Sequence, residues 1–333
     1  MTPVIAFFNN KGGVGKTTLL YHLAWMLEEL GMRVLAVDLD PQANLTSAFI
    51  DDDTVEKLWA ASDRRTVYGA IAPLLEGVGG VATPYIHEVV PGLNLVPGDL
   101  LLAGAEQELS TAWPNAVDGN PRAFRVLSAF STVALLAAEA CAAQIILADV
   151  GPNLGAINRA ALIACDKVIV PVAPDLYSLQ GLRNLGPTLR TWRSEWNTRR
   201  PLAPLGLDVP PGTMDPAGYV VLQHGVRLDR VVGAYDRWLQ QVPAVYRNDV
   251  LGAGGELDLP SAELDPYCLG LVKHYHSLIP MGQEARRPVF LLRSADGAIG
   301  AHQQAVLAAY GHFRTLAGRI LDAIGATARN EHS

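Results

Sequence analysis

The sequence predicts an α/β fold in which a mostly parallel, twisted sheet carries helices on both faces. Short, almost continuously apolar segments alternate with segments of helical periodicity, a pattern typical of buried parallel strands joined by helices. The chain has 333 residues, half of them hydrophobic, so it can bury a sizeable core. We expect a single domain over residues 1–333, with surface insertions near 197–218 and 252–266, where proline and glycine are frequent and periodicity is absent.

Charge and cysteine content argue against several classes of protein. Charged residues make up 18 % of the chain and the formal net charge is −7, so any contact with DNA requires a local basic face. The three cysteines, Cys141, Cys165 and Cys268, form no CxxC pair, which argues against zinc and iron–sulfur sites. No apolar run reaches the length of a membrane span.

The first predicted strand, Pro3 to Phe8, leads into a glycine-rich turn, and a helical pattern of leucines follows. Glycines let successive backbone N–H groups point at one anion, and the helix N-terminus adds its positive end. Lys16 can reach the β- and γ-phosphates of a nucleotide, and the Thr17 hydroxyl can bind Mg²⁺. We expect the turn to bind these phosphates through Lys11, Gly12, Gly13, Val14, Gly15, Lys16, Thr17 and Thr18.

The turn departs from the ordinary Walker A pattern, because Asn10 stands where that pattern has a glycine and a second lysine, Lys11, follows it. Two lysines at one phosphate site repel each other unless a highly charged anion lies between them, so the loop predicts a nucleoside triphosphate. The run from Lys11 to Thr18 resembles the deviant Walker A motif of the ParA/MinD family of ATPases, in particular its ParA/Soj-type partition ATPases. The resemblance implies a P-loop NTPase fold. It also implies that Lys11 is the signature lysine, which reaches a partner subunit's nucleotide in a dimer that encloses two ATP molecules.

The second predicted strand ends in two carboxylates, Asp38 and Asp40. Residues two apart on a strand point to the same side of the sheet, here at the edge where open α/β sheets bind ligands. The run from Asp38 to Asn44 resembles the switch I segment of the family. The resemblance implies that Asp40 orients or activates the attacking water and supports Mg²⁺, and that Asp38 is a more distant carboxylate of the metal site.

The middle of the chain carries a second metal-site motif. We expect a strand over 92–98 and a helix over 100–109. The Leu-Ala-Gly-Ala-Glu run in that helix is interpreted as structural. One long helix is expected over 122–143. The buried strand 144–148 then closes on Asp149, a carboxylate facing the phosphate loop that can reach Mg²⁺ through water. The residues after Asp149 resemble the family's switch II, except that Gly151 replaces a proline common there.

Candidate adenine contacts follow two later strands. The segment after the strand 167–172 resembles a family segment that helps to hold the adenine, which implies this role for Pro174 and Asp175. The strand that begins at Gly218 is often followed in relatives by an asparagine that reads adenine. Here Gln223 can supply the same amide chemistry.

Five arginines are candidate contacts for the DNA backbone. Arg190 and Arg193 lie on a helix expected over 183–200, and Arg286, Arg287 and Arg293 lie in a segment that resembles the C-terminal third of ParA relatives. In those relatives, basic residues of this third bind DNA without sequence preference. An ordinary surface helix and a solvated charge cluster remain open as alternatives.

The resemblance implies a weak, partner-stimulated ATPase that converts ATP and water to ADP and phosphate, with Mg²⁺ as cofactor and Lys11, Lys16 and Asp40 as catalytic residues. The ATP-bound homodimer would bind DNA non-specifically and partition or position a plasmid, a chromosome or another cargo. A ParB-like protein would be its activator. The expected location is the cytoplasm of a bacterial cell, with nucleoid association in the ATP-bound state and no stable membrane anchor.

Three alternatives remain open. A MinD-like membrane-associated positioning ATPase shares the N-terminal motifs, but the closing helix, 302–326, lacks a strongly basic polar face beside its apolar stripe, which favours core packing. A cobyrinic acid a,c-diamide synthase would be an ATP-dependent amidating enzyme, and it needs a glutaminase domain with a nucleophilic cysteine, for which we find neither room nor a plausible site. A nitrogenase iron-protein-like reductase needs two ligand cysteines at a dimer seam, and no such pattern matches Cys141 and Cys165.

Overall fold

An eight-stranded sheet organises the chain in the computed structural model, which describes residues 2–222, 237–254 and 261–326. The strands are β1 (Val4–Phe7), β2 (Val34–Asp38), β3 (His87–Val90), β4 (Leu93–Val96), β5 (Ile145–Asp149), β6 (Lys167–Val172), β7 (Asp215–Leu222) and β8 (Cys268–Val272). Their order across the sheet is β3-β4-β2-β5-β1-β6-β7-β8, and each neighbouring pair is parallel except β3 with β4. The predicted mostly parallel α/β sheet is confirmed.

Helices cover both faces of this sheet, as the apolar strand patterns predicted. They are α1 (Lys16–Glu29), α2 (Asn44–Phe49), α3 (Asp52–Ala60), α4 (Val67–Leu75), α5 (Glu106–Asn115), α6 (Pro121–Leu127), α7 (Ala129–Ala140), α8 (Ala156–Ile163), α9 (Leu176–Arg199), α10 (Val242–Val245), α11 (Leu278–Ala285) and α12 (Ala301–Ile324). A π-helix, Tyr246–Leu251, follows α10. One core lies under α1, α2, α3, α11 and α12, and the other under α4 to α10.

The parallel register brings the predicted site residues to one edge. Phe7, the last residue of β1, pairs with Asp149, and Asp38 at the end of β2 pairs with the same Asp149. Because β5 lies between β1 and β2, the glycine-rich turn after Phe7 and both strand-end carboxylates meet at the carboxyl edge of the sheet.

Several elements differ from the sequence prediction. The long helix predicted over 122–143 is divided into α6 and α7, whose axes are bent by 57° across Ser128 (φ −91°, ψ −1°). The region 51–80 contains α3 and α4, whose N-termini are capped by Asp51 and Thr66. β7 begins at Asp215, so the insertion after α9 is shorter than predicted, while residues 255–260 of the second insertion lie outside the described residues.

The insertion after α9 is attached to the core through an aromatic cluster. The Trp196 indole N–H donates to the Pro210 carbonyl over 2.9 Å, and the Trp196 ring stacks on Trp113 at 5.8 Å between centroids. Trp192 and Trp196 of α9 are both buried, so this face of the helix serves packing.

Within the described residues, no single helix combines the length and hydropathy of a membrane span. The bent pair α6 and α7 meets the criterion together, by length and composition alone.

Candidate active site

The phosphate-binding turn between β1 and α1 is held at its base and exposed at its tip. The Asn9 side chain is buried: its Nδ2 donates to the Pro171 carbonyl over 2.6 Å, and its Oδ1 accepts from the Lys11 N–H over 3.0 Å. Gly13 (φ 72°) and Gly15 (φ 90°) adopt left-handed backbone conformations that strain residues with a Cβ. The turn therefore depends on glycine at both positions and presents an open concavity.

Lys16 is the first residue of α1, and its side chain is only 7 % exposed. Burial lowers the pKa of the Lys16 ammonium group, while the charges of Asp149 and Asp40 act in the opposite direction. Lys16 lines a cavity of about 670 Å³ together with Gly12, Gly13, Gly15, Thr17 and Thr18. A polyphosphate that enters the cavity favours the charged form of this lysine and so opposes the effect of burial on its pKa.

Thr17 and Asp149 form the pair expected at a magnesium site. The Thr17 hydroxyl donates to Asp149 Oδ2 over 2.6 Å. Burial, with the charge of Asp38 as a second cause, raises the pKa of the Asp149 carboxyl to about 8. Its other oxygen, Oδ1, is buried and accepts no hydrogen bond within the described parts of the chain.

This set of oxygen donors fits Mg²⁺, because an unpartnered buried carboxylate oxygen beside a threonine hydroxyl provides the hard ligands that the ion prefers. No group of three or more His, Cys, Asp or Glu residues is placed to hold a metal in the ranges that the structure describes. The ion would therefore be held jointly by these residues, water and nucleotide phosphates.

The two switch I carboxylates have different surroundings. Asp38 Oδ2 accepts from the Thr46 N–H (2.8 Å) and hydroxyl (2.7 Å), and Oδ1 accepts from the Asp40 N–H (3.3 Å). The Thr46 hydroxyl oxygen accepts in turn from the Gly98 N–H over 2.7 Å. Burial raises the pKa of the Asp38 carboxyl to about 7. Asp38 thus joins β2, α2 and the loop after β4, whereas Asp40 lines the cavity and accepts from the Gln42 N–H over 2.9 Å.

Switch II is fixed by a side chain that the sequence analysis did not identify. Asn158 of α8 donates through Nδ2 to the carbonyls of Gly151 (2.8 Å) and Asn153 (2.6 Å). At Gly151 an added Cβ would lie 3.2 Å from Asp40 Oδ1, so glycine at this position leaves room for the switch I carboxylate. The signal available in the sequence was an asparagine on the helix that directly follows a glycine-rich loop.

The N-terminus of α8 is capped from a distant helix. Glu106, in the Leu-Ala-Gly-Ala-Glu run, accepts from the N–H groups of Ala156 (2.6 Å) and Ile157 (3.0 Å). Gly155, the residue before α8, provides no side-chain cap of its own. The run interpreted as structural therefore includes a carboxylate that caps α8 and holds the end of switch II.

Lys11 contacts its own subunit in this structure. Its Nζ lies 2.5 Å from Asp175 Oδ2 and 5.9 Å from the centroid of the Tyr177 ring. Partial burial opposes ionisation of Asp175, but hydrogen bonds from Lys11 and from the Ser178 N–H outweigh it and lower the pKa of the carboxyl. Asp175 thereby caps α9, accepting from Ser178 over 2.8 Å. Neither Pro174 nor Asp175 lines the 670 Å³ cavity, and the predicted contact Gln223 lies outside the described residues.

A smaller cavity of about 150 Å³ adjoins the first and shares Gly15, Thr18 and His22 with it. Its wall includes apolar side chains at the ends of β7 and β8, Leu222 and Val272. This apolar surface is chemically suited to the flat ring of a nucleobase, next to the phosphate turn.

The arginines predicted to contact DNA are distributed over both faces of the sheet. On α9, Arg190 donates to the Asp249 and Val250 carbonyls (2.7 and 3.0 Å), and Arg193 donates to the Met214 carbonyl (2.6 Å). On the opposite face, Arg286 donates to the carbonyls of Ser47 (3.2 Å) and Ile50 (2.6 Å). Arg293 is exposed, whereas Arg287 lines the 670 Å³ cavity. A DNA role for these residues stays a prediction.

Comparison with known proteins decides the family. The family model AAA_31, described as an AAA domain, matches residues 2–200, more than half of the chain. The chain belongs to the ParA/MinD family of ATPases. This ParA/MinD member is 34 % identical over 198 residues to the sporulation initiation inhibitor protein Soj of Bacillus subtilis, and 35 % identical over 195 residues to the chromosome-partitioning ATPase Soj of Thermus thermophilus. The match to the Bacillus protein covers 60 % of this chain and 69 % of that relative. The match to the Thermus protein covers 59 % of this chain and 64 % of that relative. The matched segments are thus about two thirds of the relatives' length.

Solved structures share the fold over most of the ParA/MinD chain. Protein DIP2308 from Corynebacterium diphtheriae superposes with a TM-score of 0.69 at 24 % identity, covering 97 % of this chain and 99 % of its own. A putative plasmid partition protein from Borrelia burgdorferi bound to AMPPNP superposes with a TM-score of 0.56 at 17 % identity. The superposition covers 97 % of this chain and 98 % of the Borrelia chain. Cobyrinic acid a,c-diamide synthase from Mycobacterium smegmatis, with bound ADP and magnesium, superposes with a TM-score of 0.50 at 25 % identity. The superposition covers 78 % of this chain and 84 % of the synthase chain.

Proposed function

We propose that this ParA/MinD protein hydrolyses ATP to ADP and phosphate and uses the ATP-bound state to partition or position DNA or another cargo. The observation that carries the proposal is the convergence of Lys16, the Thr17–Asp149 pair and Asp40 at one cavity beneath the glycine-rich turn. That arrangement supplies a cation, a magnesium site and a carboxylate for water where a triphosphate would lie.

The mechanism uses charge placement. Lys16 and the backbone N–H groups of residues 13–18 stabilise the negative charge that develops on the phosphates. The Thr17 hydroxyl and the Asp149 carboxylate would hold Mg²⁺, which would supply further neutralisation of phosphate charge. Asp40 is held by the Gln42 N–H at the cavity wall, where its free oxygen can accept a proton from the attacking water and orient it.

Lys11 completes the site in trans, so hydrolysis requires the homodimer. The Lys11–Asp175 ion pair is partly exposed, with 29 and 37 % of the two side chains accessible. Exposed ion pairs of this kind contribute about 0–1 kcal/mol to stability. Lys11 can therefore leave Asp175 and bind a phosphate of the partner subunit's nucleotide at little energetic cost. ATP binding thus favours the dimer. The low rate of ATP hydrolysis expected of a switch follows because the dimer must assemble before hydrolysis.

The cargo role is supported by the names of relatives. One Soj relative is a chromosome-partitioning ATPase, and the Borrelia structure is a putative plasmid partition protein. We infer that the ATP-bound dimer binds non-specific DNA in the cytoplasm, where it is associated with the nucleoid. Two weakly basic surfaces bind DNA more tightly when the dimer pairs them. A ParB-like protein stimulates ATP hydrolysis.

The amidating enzyme is a weaker second candidate, favoured by the fold shared with the cobyrinic acid a,c-diamide synthase. Such an enzyme needs a reactive thiolate. Burial instead raises the pKa of all three thiols, Cys141, Cys165 and Cys268, and so suppresses the nucleophilic form.

The MinD-like alternative depends on an exposed apolar helix face. In α12 the stripe Val306, Phe313, Leu316 and Ile320 is buried in the core under α1, which supports the packing role over a membrane role.

A gel shift on non-specific duplex DNA at near-physiological salt tests the proposal. The protein is compared without nucleotide, with ADP and with ATP–Mg²⁺, and Lys11→Ala is run alongside. We expect retardation with ATP alone, and its loss in the variant. Equal retardation in all nucleotide states would contradict an ATP-controlled DNA contact, and no binding of ATP would remove the whole proposal.

A further inference from the structure

Two adjacent arginines at the end of α11 have different surroundings. Arg286 has a left-handed backbone (φ 48°), which non-glycine residues adopt infrequently. Its guanidinium group donates through Nη1 to the Ser47 and Ile50 carbonyls at the C-terminal end of α2, so it is anchored within the protein. The chain reverses at Arg286, and Arg287 lines the 670 Å³ cavity instead.

The segment that carries Arg287 is attached beside the phosphate turn. The Arg287 N–H donates to the Gly282 carbonyl over 2.9 Å, and the Val289 N–H donates to His22 Nε2 over 3.2 Å. The other ring nitrogen of His22, Nδ1, lies 2.7 Å from the Thr18 carbonyl. Because Nε2 accepts a hydrogen bond, Nδ1 is the protonated nitrogen and donates to Thr18. One neutral histidine therefore joins this C-terminal segment to the first turn of α1.

The guanidinium group of Arg287 is half-buried, and it makes no hydrogen bond or ion pair with any part of the described chain. Among the described residues that line the same cavity, Asp40 is the one carboxylate, and it accepts from Gln42. A partly desolvated cation without an anion is unfavourable, which indicates that the anion comes from a ligand.

We propose that Arg287 binds the phosphate chain of the nucleotide within its own subunit, an inference that rests on the proposed function. The His22 bridge places its segment beside Thr18, in the first turn of α1, which also carries Lys16 and Thr17. Arg287 therefore contacts the phosphates that ADP and ATP have in common. We thus assign Arg286 to the end of α2 and Arg287 to the nucleotide, while a DNA role for Arg286 stays a prediction.

Titration of the N-methylanthraniloyl derivatives of ADP and ATP in the presence of Mg²⁺ tests this assignment. A charge-assisted contact of this kind is worth roughly tenfold or more in affinity. We expect Arg287→Ala to weaken both nucleotides at least tenfold and equally, and Arg287→Lys to recover part of the loss. Arg314→Ala is the matched control, because Arg314 is an exposed arginine of α12, and it should stay within twofold of the wild type.

The outcomes separate this proposal from the others. DNA retardation at saturating ATP should be the same for Arg287→Ala and the wild type. If Arg287→Ala binds both nucleotides like the wild type, or loses DNA retardation with unchanged nucleotide affinity, the assignment is overturned. If Arg287→Ala does not fold, Arg287→Gln tests the same contact with a polar, uncharged side chain in place of the guanidinium group. Failure of the wild type itself to bind either nucleotide would instead overturn the proposed function.

Discussion

Replacing Glu106 tests whether switch II is held in place from α5. The Glu106 carboxylate accepts from the first two N–H groups of α8, at 2.6 and 3.0 Å, and Gly155 offers no cap of its own. Loss of a helix cap costs about 0.5–2 kcal/mol, and hydrogen bonds to a charged group contribute about 1.5–3 kcal/mol. We therefore expect Glu106→Ala to lower the free energy of unfolding by about 2 kcal/mol, measured by urea denaturation.

Glu108 provides the matched control two residues further along the same helix. It pairs with Arg122 at 3.1 Å, with 50 and 41 % of the arginine and glutamate side chains exposed, so Glu108→Ala should cost less than about 1 kcal/mol. Glu106→Ala should also lower kcat for phosphate release more than it changes KM for ATP, because the cap positions switch II and does not bind ground-state nucleotide. Equal effects of the two variants on stability and kcat would refute the reasoning.

Three further predictions concern single contacts. Asp175→Asn keeps the cap on α9 but removes the negative charge that holds Lys11. ATP-dependent dimerisation, measured by sedimentation, should therefore become tighter, and a weaker dimer would contradict this. Thr46→Val leaves the buried Gly98 N–H without its acceptor and should cost about 1–3 kcal/mol in urea denaturation, whereas Thr46→Ser should cost less. Burial lowers the pKa of His22 from 6.5 to about 4, so the unfolded chain binds a proton first as the solution is acidified. Stability should therefore fall by up to about 3 kcal/mol between pH 6.5 and 4 at low ionic strength, and a His22→Asn variant should lack this component.

The edge of the sheet that forms the site could be predicted because its residues obey local rules. A glycine turn between a strand and a helix, and carboxylates at the ends of buried strands, are decided by short-range pattern and by the geometry of parallel sheets. Lys16, Thr17, Asp40 and Asp149 accordingly meet at the predicted edge.

The remaining contacts depend on residues that are distant in sequence. The His22–Val289 hydrogen bond spans 267 positions, and the Glu106 cap on Ala156 spans 50. Periodicity carries no information on which helix end faces which side chain. For the same reason, the sequence could not show that Arg286 closes α2 while its neighbour Arg287 lines a cavity.

The break between α6 and α7 was missed for a different reason. α7 is rich in alanine and leucine, whereas α6 contains one of each, but no proline or glycine lies between the two helices to indicate a break at Ser128. The bend of 57° lets each helix bury its apolar face against the curved sheet, so tertiary packing overrides the continuous helical propensity.

Sedimentation of the Asp40→Ala variant tests the central claim most directly, because this variant should bind ATP without hydrolysing it. With ATP and Mg²⁺ we expect a species of twice the 35.6 kDa monomer mass, and with ADP or without nucleotide we expect the monomer. A protein that binds ATP and still sediments as the monomer would contradict the ATP-controlled dimer, and with it the role assigned to Lys11.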